Sequence, residues 1–157
     1  MDYIALDTIP HYSECESIVS ELGYHLVELK FSKQGRTTHI LATITSEDPS
    51  VSIGVNDCSK VHRILLPKIE EILGTDNTYM ELSSPGMERN FKNAAEFALF
   101  KGRQVRVWDK TVTDWVGGIV VDSDDKSITL EITQDDGSSV QKTVAYVDIA
   151  KAKFIHL

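Results

Sequence analysis

The 157-residue sequence is short of the features that tie a chain to a disulfide scaffold, a membrane or a nucleotide site. It has two cysteines, Cys15 and Cys58, which are too few for a disulfide framework and fit a reduced compartment. No apolar run approaches the roughly 20 residues that a bilayer crossing takes. Met1-Asp2-Tyr3 lacks the basic start and apolar stretch of a signal peptide, so the cytosol is the expected compartment. A Walker A loop, a Rossmann glycine pattern, an H-E-x-x-H and an EF-hand are all absent, which removes the readings those motifs carry. Positive charge is scarce as well: 16 Lys and Arg stand against 24 Asp and Glu, a net charge of −8. That balance argues against simple charge-driven binding to naked nucleic acid.

What charge there is divides the chain. Residues 1–86 hold six Lys and Arg against thirteen Asp and Glu, whereas residues 87–157 hold ten against eleven. Between residues 89 and 110 the sign reverses: Arg89, Lys92, Lys101, Arg103, Arg106 and Lys110 face only Glu96 and Asp109. An acidic half is joined to a half that opens on a basic stretch.

Hydrophobic periodicity separates the same two halves. Tyr12, Cys15, Ile18, Val19 and Leu22 recur at three- and four-residue spacing, one apolar helical face, with Thr8 as N-cap and Gly23 as stop. Val27, Leu29 and Phe31, then Ile40, Ala42 and Ile44, alternate as strands, and Gln34-Gly35 turns between them. Val61, Ile64, Leu65, Ile69, Ile72 and Leu73 form a second helical stripe, capped by Asn56 and ended by Gly74. Pro67 inside it predicts a kink or break. Residues 79–83 read as a third strand. After a helical piece near residues 93–100, every apolar run has strand period: 105–107, 115–121, 128–132, 140–147 and 152–157. Several short strands in about 60 residues predict a small closed or nearly closed barrel. The boundary falls at Ser84-Pro85-Gly86, where Pro presets one corner of a type II turn and Gly permits the next. The expected domains are residues 1–86 and 87–157.

The chemistry-bearing residues have bland readings beside sharp ones. Ser83 and Ser84 lack a strained G-x-S-x-G elbow, so the Ser-Ser-Pro-Gly run reads as a turn and not as a nucleophile. His11 and Cys15, like Cys58 and His62, stand four apart on a helix and would make a zinc set only if both pairs converged. Cys15 lies on an apolar stripe and reads as core. Phe91, Phe97, Phe100 and Trp108 interleave with the basic residues. Most of them read as core, with some of Arg89, Lys92, Lys101, Arg103 and Arg106 meeting phosphate or an acidic surface.

The run Tyr79-Met80-Glu81-Leu82-Ser83-Ser84-Pro85-Gly86-Met87-Glu88-Arg89 resembles the signature of the RimP family of ribosome maturation factors. Further islands resemble that family in order: Glu21-Leu22-Gly23-Tyr24, Asp57-Cys58 with Val61 and Arg63, Phe100-Lys101-Gly102-Arg103, and Ile149-Ala150-Lys151-Ala152 with Phe154. The chain departs from it at Met87-Glu88-Arg89-Asn90, where the family usually has Leu-Asp-Arg-Pro, and at His62, where it has Ser. The resemblance implies an α+β chain: an N-terminal α/β domain with two helices on a three-stranded sheet, then a C-terminal SH3-like (Sm-like) β-barrel. It implies transient binding to the immature small (30S) ribosomal subunit, near a ribosomal protein of the decoding centre and 16S rRNA. It implies no catalysed reaction, and from the residues themselves no cofactor, no metal and no membrane are expected.

The expected state is a monomeric assembly factor. Its contact residues are drawn from Ser83, Ser84, Pro85, Gly86, Glu88, Arg89, Lys92, Lys101, Arg103 and Arg106, as ribosome-binding or domain-junction positions. Charge reversal at Arg89 and Arg103 is expected to weaken subunit association with the fold intact. The alternatives are a generic RNA-binding module, which predicts strong, salt-sensitive affinity for naked RNA, and a small enzyme or metal-dependent domain using Cys58, His62 and nearby carboxylates.

Overall fold

The computed structural model describes residues 1–85 and 88–155, with backbone alone at Glu88 and Ile155. Gly86, and with it the expected type II turn, lies outside the described residues. The chain divides into two units, Asp7–Pro85 and Met1–Leu6 with Gly86–Leu157.

In the first unit, helix α1 (Tyr12–Glu21) leads to strands β1 (Tyr24–Gln34) and β2 (Thr37–Ser46), helix α2 (Val55–Leu73) and strand β3 (Thr78–Ser83). β1 and β2 are the expected antiparallel hairpin, in register from Tyr24 opposite Ser46 to Gln34 opposite Thr37. Gly35 sits in the turn at φ 66°, a left-handed conformation that costs glycine little. α2 then carries the chain back, so β3 pairs parallel to β2 and the sheet order is β1-β2-β3. Ile40, Ala42 and Ile44 are buried, as their alternation predicts, together with Cys15 and Val19 of α1 and Val61, Leu65 and Ile69 of α2. Each fully buried branched side chain contributes about 1.5–3 kcal/mol.

The helix ends differ from expectation. Thr8 belongs to a separate 3-10 turn (Leu6–Thr8), and α1 starts after His11, whose left-handed φ of 62° breaks the helical run. Gly54 caps α2 in place of Asn56, and the Asp57 carboxylate accepts the Gly54 N–H at 2.9 Å. The Tyr24 hydroxyl also donates to Asp57. These two bonds hold the Asp57 carboxyl below the usual carboxylate range, the Gly54 bond contributing most. Pro67 does not break α2, which runs through it. Pro67 and Arg63 both lie on the exposed face, so water can solvate the Arg63 carbonyl that loses its helical donor.

The second unit contains β4 (Glu88–Asn90), a 3-10 helix (Ala94–Phe100), β5 (Gln104–Asp109), β6 (Asp114–Ser123), β7 (Ser127–Thr133), β8 (Ser139–Ala145), a 3-10 turn (Tyr146–Asp148) and β9 (Ile149–Ile155). Among the described residues these strands form one antiparallel sheet of order β4-β9-β5-β6-β7-β8. β4 was not legible in the sequence, because three residues, Glu88-Arg89-Asn90, carry no apolar alternation. Met1–Leu6 groups with this unit, although residues 1–86 read as one domain. Contacts far apart in sequence hold it there, including the stacked rings of Tyr3 and Tyr146. The Met1 ammonium donates to the carbonyls of Tyr146 and Ile149 at 3.0 and 2.8 Å, and Ile4 and Asn93 exchange two hydrogen bonds.

Phe91, Phe97, Phe100 and Phe154 are buried in this unit, and their rings touch. Centroids lie 4.7 Å apart for Phe91 and Phe97, and 5.0 Å for Phe91 and Phe100 and for Phe100 and Phe154. The first three are core, as expected, and the 3-10 helix is what sends Phe97 and Phe100 inward.

Candidate functional site

The residues around the family-like run fall into three settings. Ser83 ends β3, and Ser84 and Pro85 follow it, half-buried. Leu82, Ser83 and Ser84 line a groove of about 550 Å³ with Gly54, Val55, Cys58, Ser59 and His62 from the start of α2. His62 is not spare chemistry there: its Nε2 lies 3.0 Å from the Met80 carbonyl and ties α2 to β3. The Cys58 thiol is pushed up by partial burial and then by the Asp57 charge. Buried Cys15 is pushed up to about 11, by burial first and Glu14 second, so it behaves as a small core hydrophobe. Among the described residues no group of three or more His, Cys, Asp or Glu side chains is arranged to hold a metal.

The second setting is internal. Arg89 in β4 pairs in register with Phe154 of β9, and its side chain is only 9% exposed. Its Nε and Nη2 donate to Glu96 Oε1 at 3.0 and 2.7 Å. The other Glu96 oxygen accepts the N–H groups of Lys92 and Asn93 at 3.1 and 3.0 Å. Asn93 in turn caps the 3-10 helix by accepting the Ala95 N–H. One buried carboxylate thus joins β4 to the helix that carries Phe97 and Phe100. Burial outweighs the Arg89 charge and the hydrogen bonds from Arg89, Lys92 and Asn93, and holds the Glu96 carboxyl above its usual range. Arg103 is buried too, 7% exposed, with its guanidinium 5.9 Å from the Phe154 ring centre. The expectation that Arg89 and Arg103 tolerate charge reversal with the fold intact does not survive these positions. Two cations with this little exposure are built into the packing.

The third setting is outward. Lys92, Lys101 and Arg106 are exposed. Lys101 approaches Asp122 at 3.7 Å, with both side chains solvated, a pair worth at most about 1 kcal/mol. Glu88 opens β4 opposite Ile155. Arg106 projects from β5, and its guanidinium stands 5.0 Å from the centre of the Trp115 ring on β6. Trp115, Lys151 and Lys153 were missed because sequence reading confined the basic stretch to residues 89–110. A usable signal was present, since Lys151 and Lys153 alternate with buried Ala152 and Phe154 and so face outward.

Residues 14–88 match the model of the RimP N-terminal domain. The chain belongs to the RimP family of ribosome maturation factors. The match runs from α1 to the first residue of β4 and contains the whole groove at the start of α2. In RimP terms, the family-like run therefore has two structural halves. Its serines line a groove of the N-terminal domain, and its arginine is locked into the C-terminal unit by Glu96. No helix among the described residues is long and apolar enough to cross a membrane.

Proposed function

We propose that this chain is an assembly factor for the small (30S) ribosomal subunit. It binds the immature particle transiently, holds an RNA–protein neighbourhood in a folding-competent arrangement, and leaves when that surface matures. The match of residues 14–88 to the RimP N-terminal domain carries this reading. In it the protein acts in the cytoplasm as a monomer and catalyses no reaction. The six-stranded unit is an SH3-like barrel, and the contacts are 16S rRNA and a ribosomal protein near the decoding centre. The division of charge supports a role on an assembled particle. An acidic N-terminal half disfavours naked RNA, and Lys92, Lys101 and Arg106 are exposed, where they can make local contacts.

Cells lacking this protein are expected to show a deficit of mature small subunits and an excess of free subunits in sedimentation profiles. A normal profile in such cells contradicts the proposal.

A further inference from the structure

The outer face of β9, β5 and β6 gathers cations around indoles. Trp108 and Trp115 lie opposite each other in register, with ring centres 5.6 Å apart in an edge-on arrangement. Arg106 lies across from Gly117 on one side and Lys153 on the other. Gly117 places no side chain between Trp115 and Arg106. Three cations approach the Trp115 ring: Arg106 at 5.0 Å, Lys151 at 5.5 Å and Lys153 at 5.9 Å. Arg106 and Lys151 are exposed, and both indoles are half-buried.

Arg106 and Lys151, the two exposed cations, repel one another beside this ring, and the negative face of the indole offsets only part of that. Two carboxylates on these strands have partners of their own. Asp109 is buried and engaged by the Thr111 hydroxyl and N–H and by Lys142. Asp114, at the end of β6, is exposed and accepts the Trp115 N–H. An anion is the natural complement. A nucleic-acid strand supplies phosphates for the cations and flat bases for the indoles, whereas an acidic peptide uses only the cations.

We infer that this face of the C-terminal unit is a contact surface for single-stranded RNA, with Arg106 and Lys151 taking backbone phosphates and Trp108 and Trp115 taking a base. The inference rests on the proposed ribosomal role and gives it a surface. It does not conflict with the acidic balance of the chain, because the site is local and its affinity for RNA outside the particle is confined to low salt.

The sequence contains two tryptophans and both lie here, so tryptophan emission, excited selectively over that of the five tyrosines, reports on this face. Titration with oligouridylate at about 20 mM salt is expected to quench that emission saturably, and about 200 mM salt to abolish the effect. Arg106→Gln and Lys151→Gln each lower the apparent affinity about tenfold and flatten its salt dependence, with circular dichroism unchanged. Emission that does not respond to oligouridylate overturns the inference. So does quenching that neither variant weakens, and so does polyglutamate quenching as strongly as RNA, which assigns the face to an acidic protein. Co-sedimentation of the wild-type chain with small subunits separates the two levels. If the chain co-sediments but oligouridylate leaves its emission unchanged, the surface fails and the ribosomal role stands. If oligouridylate quenches but the chain does not co-sediment, the role fails and the surface stands.

Discussion

Glu96→Ala is expected to destabilise the C-terminal unit by about 3–5 kcal/mol, the cost of breaking a buried ion pair from one side. The substitution removes the carboxylate that accepts from Arg89 and from the N–H groups of Lys92 and Asn93. It leaves a nearly buried guanidinium without that counter-charge and two amide donors without those acceptors. Burial holds the Glu96 carboxyl above its usual range in spite of the Arg89 charge beside it. The pair is therefore a device for placing β4 against the 3-10 helix more than a source of net stability, and its removal is costly all the same. Glu96→Gln keeps one oxygen for either the guanidinium or the amides but not both, so an intermediate loss is expected. Against a total stability of about 5–15 kcal/mol, the alanine change takes a large share. Urea unfolding followed by tryptophan emission measures it, since both tryptophans report on this unit. A midpoint within error of wild type contradicts the role given to Glu96.

The second large effect comes from two adjacent glycines with opposite outcomes. A Cβ at Gly118 falls 2.7 Å from the Glu131 carbonyl oxygen and 3.1 Å from the Leu130 Cβ. The first is backbone of the neighbouring strand β7 and cannot swing aside. Gly118→Ala must therefore push β6 from β7, at about 1–3 kcal/mol for overpacking. The smaller backbone entropy of an unfolded alanine returns about 0.4–1 kcal/mol, too little to reverse the sign. A Cβ at Gly117 meets its nearest atom, the Arg106 Cγ, at 3.5 Å, an ordinary contact. Gly117→Ala is expected to leave stability unchanged or slightly raised. Thermal unfolding of the two variants side by side checks the contrast, and equal midpoints contradict the packing described for β6.

The sequence made these elements legible to different degrees for physical reasons. Strong period-two and helical stripes marked β1, β2, α1, α2 and the five longer strands of the second unit, because one face of each is buried. The helix ends were harder. His11 adopts a left-handed cap that nothing in its neighbours announces, and Gly54 caps α2 through the later Asp57. Pro67 was read as a kink or break, whereas α2 runs through it with Pro67 and Arg63 on the exposed face. The basic stretch was legible as charge but not as position. Arg89 and Arg103 face inward while Arg106 faces outward, and the difference depends on strand register and on a buried glutamate that looked like one more surface charge. The Trp115 surface joins residues from three strands and has no contiguous signature at all.

The family-like run changes meaning accordingly. Its specificity as a marker does not make its arginine a ribosomal contact, since Arg89 is committed to Glu96. Lys92, Lys101 and Arg106, by contrast, are exposed on the C-terminal unit.

The central claim is that the protein acts on the small subunit as a particle. Co-sedimentation with separated small and large subunits over a salt series tests it most directly. The chain is expected to travel with the small subunit, to be absent from the large-subunit fraction, and to be released as salt rises. Equal association with both subunits, or none with the small subunit at low salt, would contradict it.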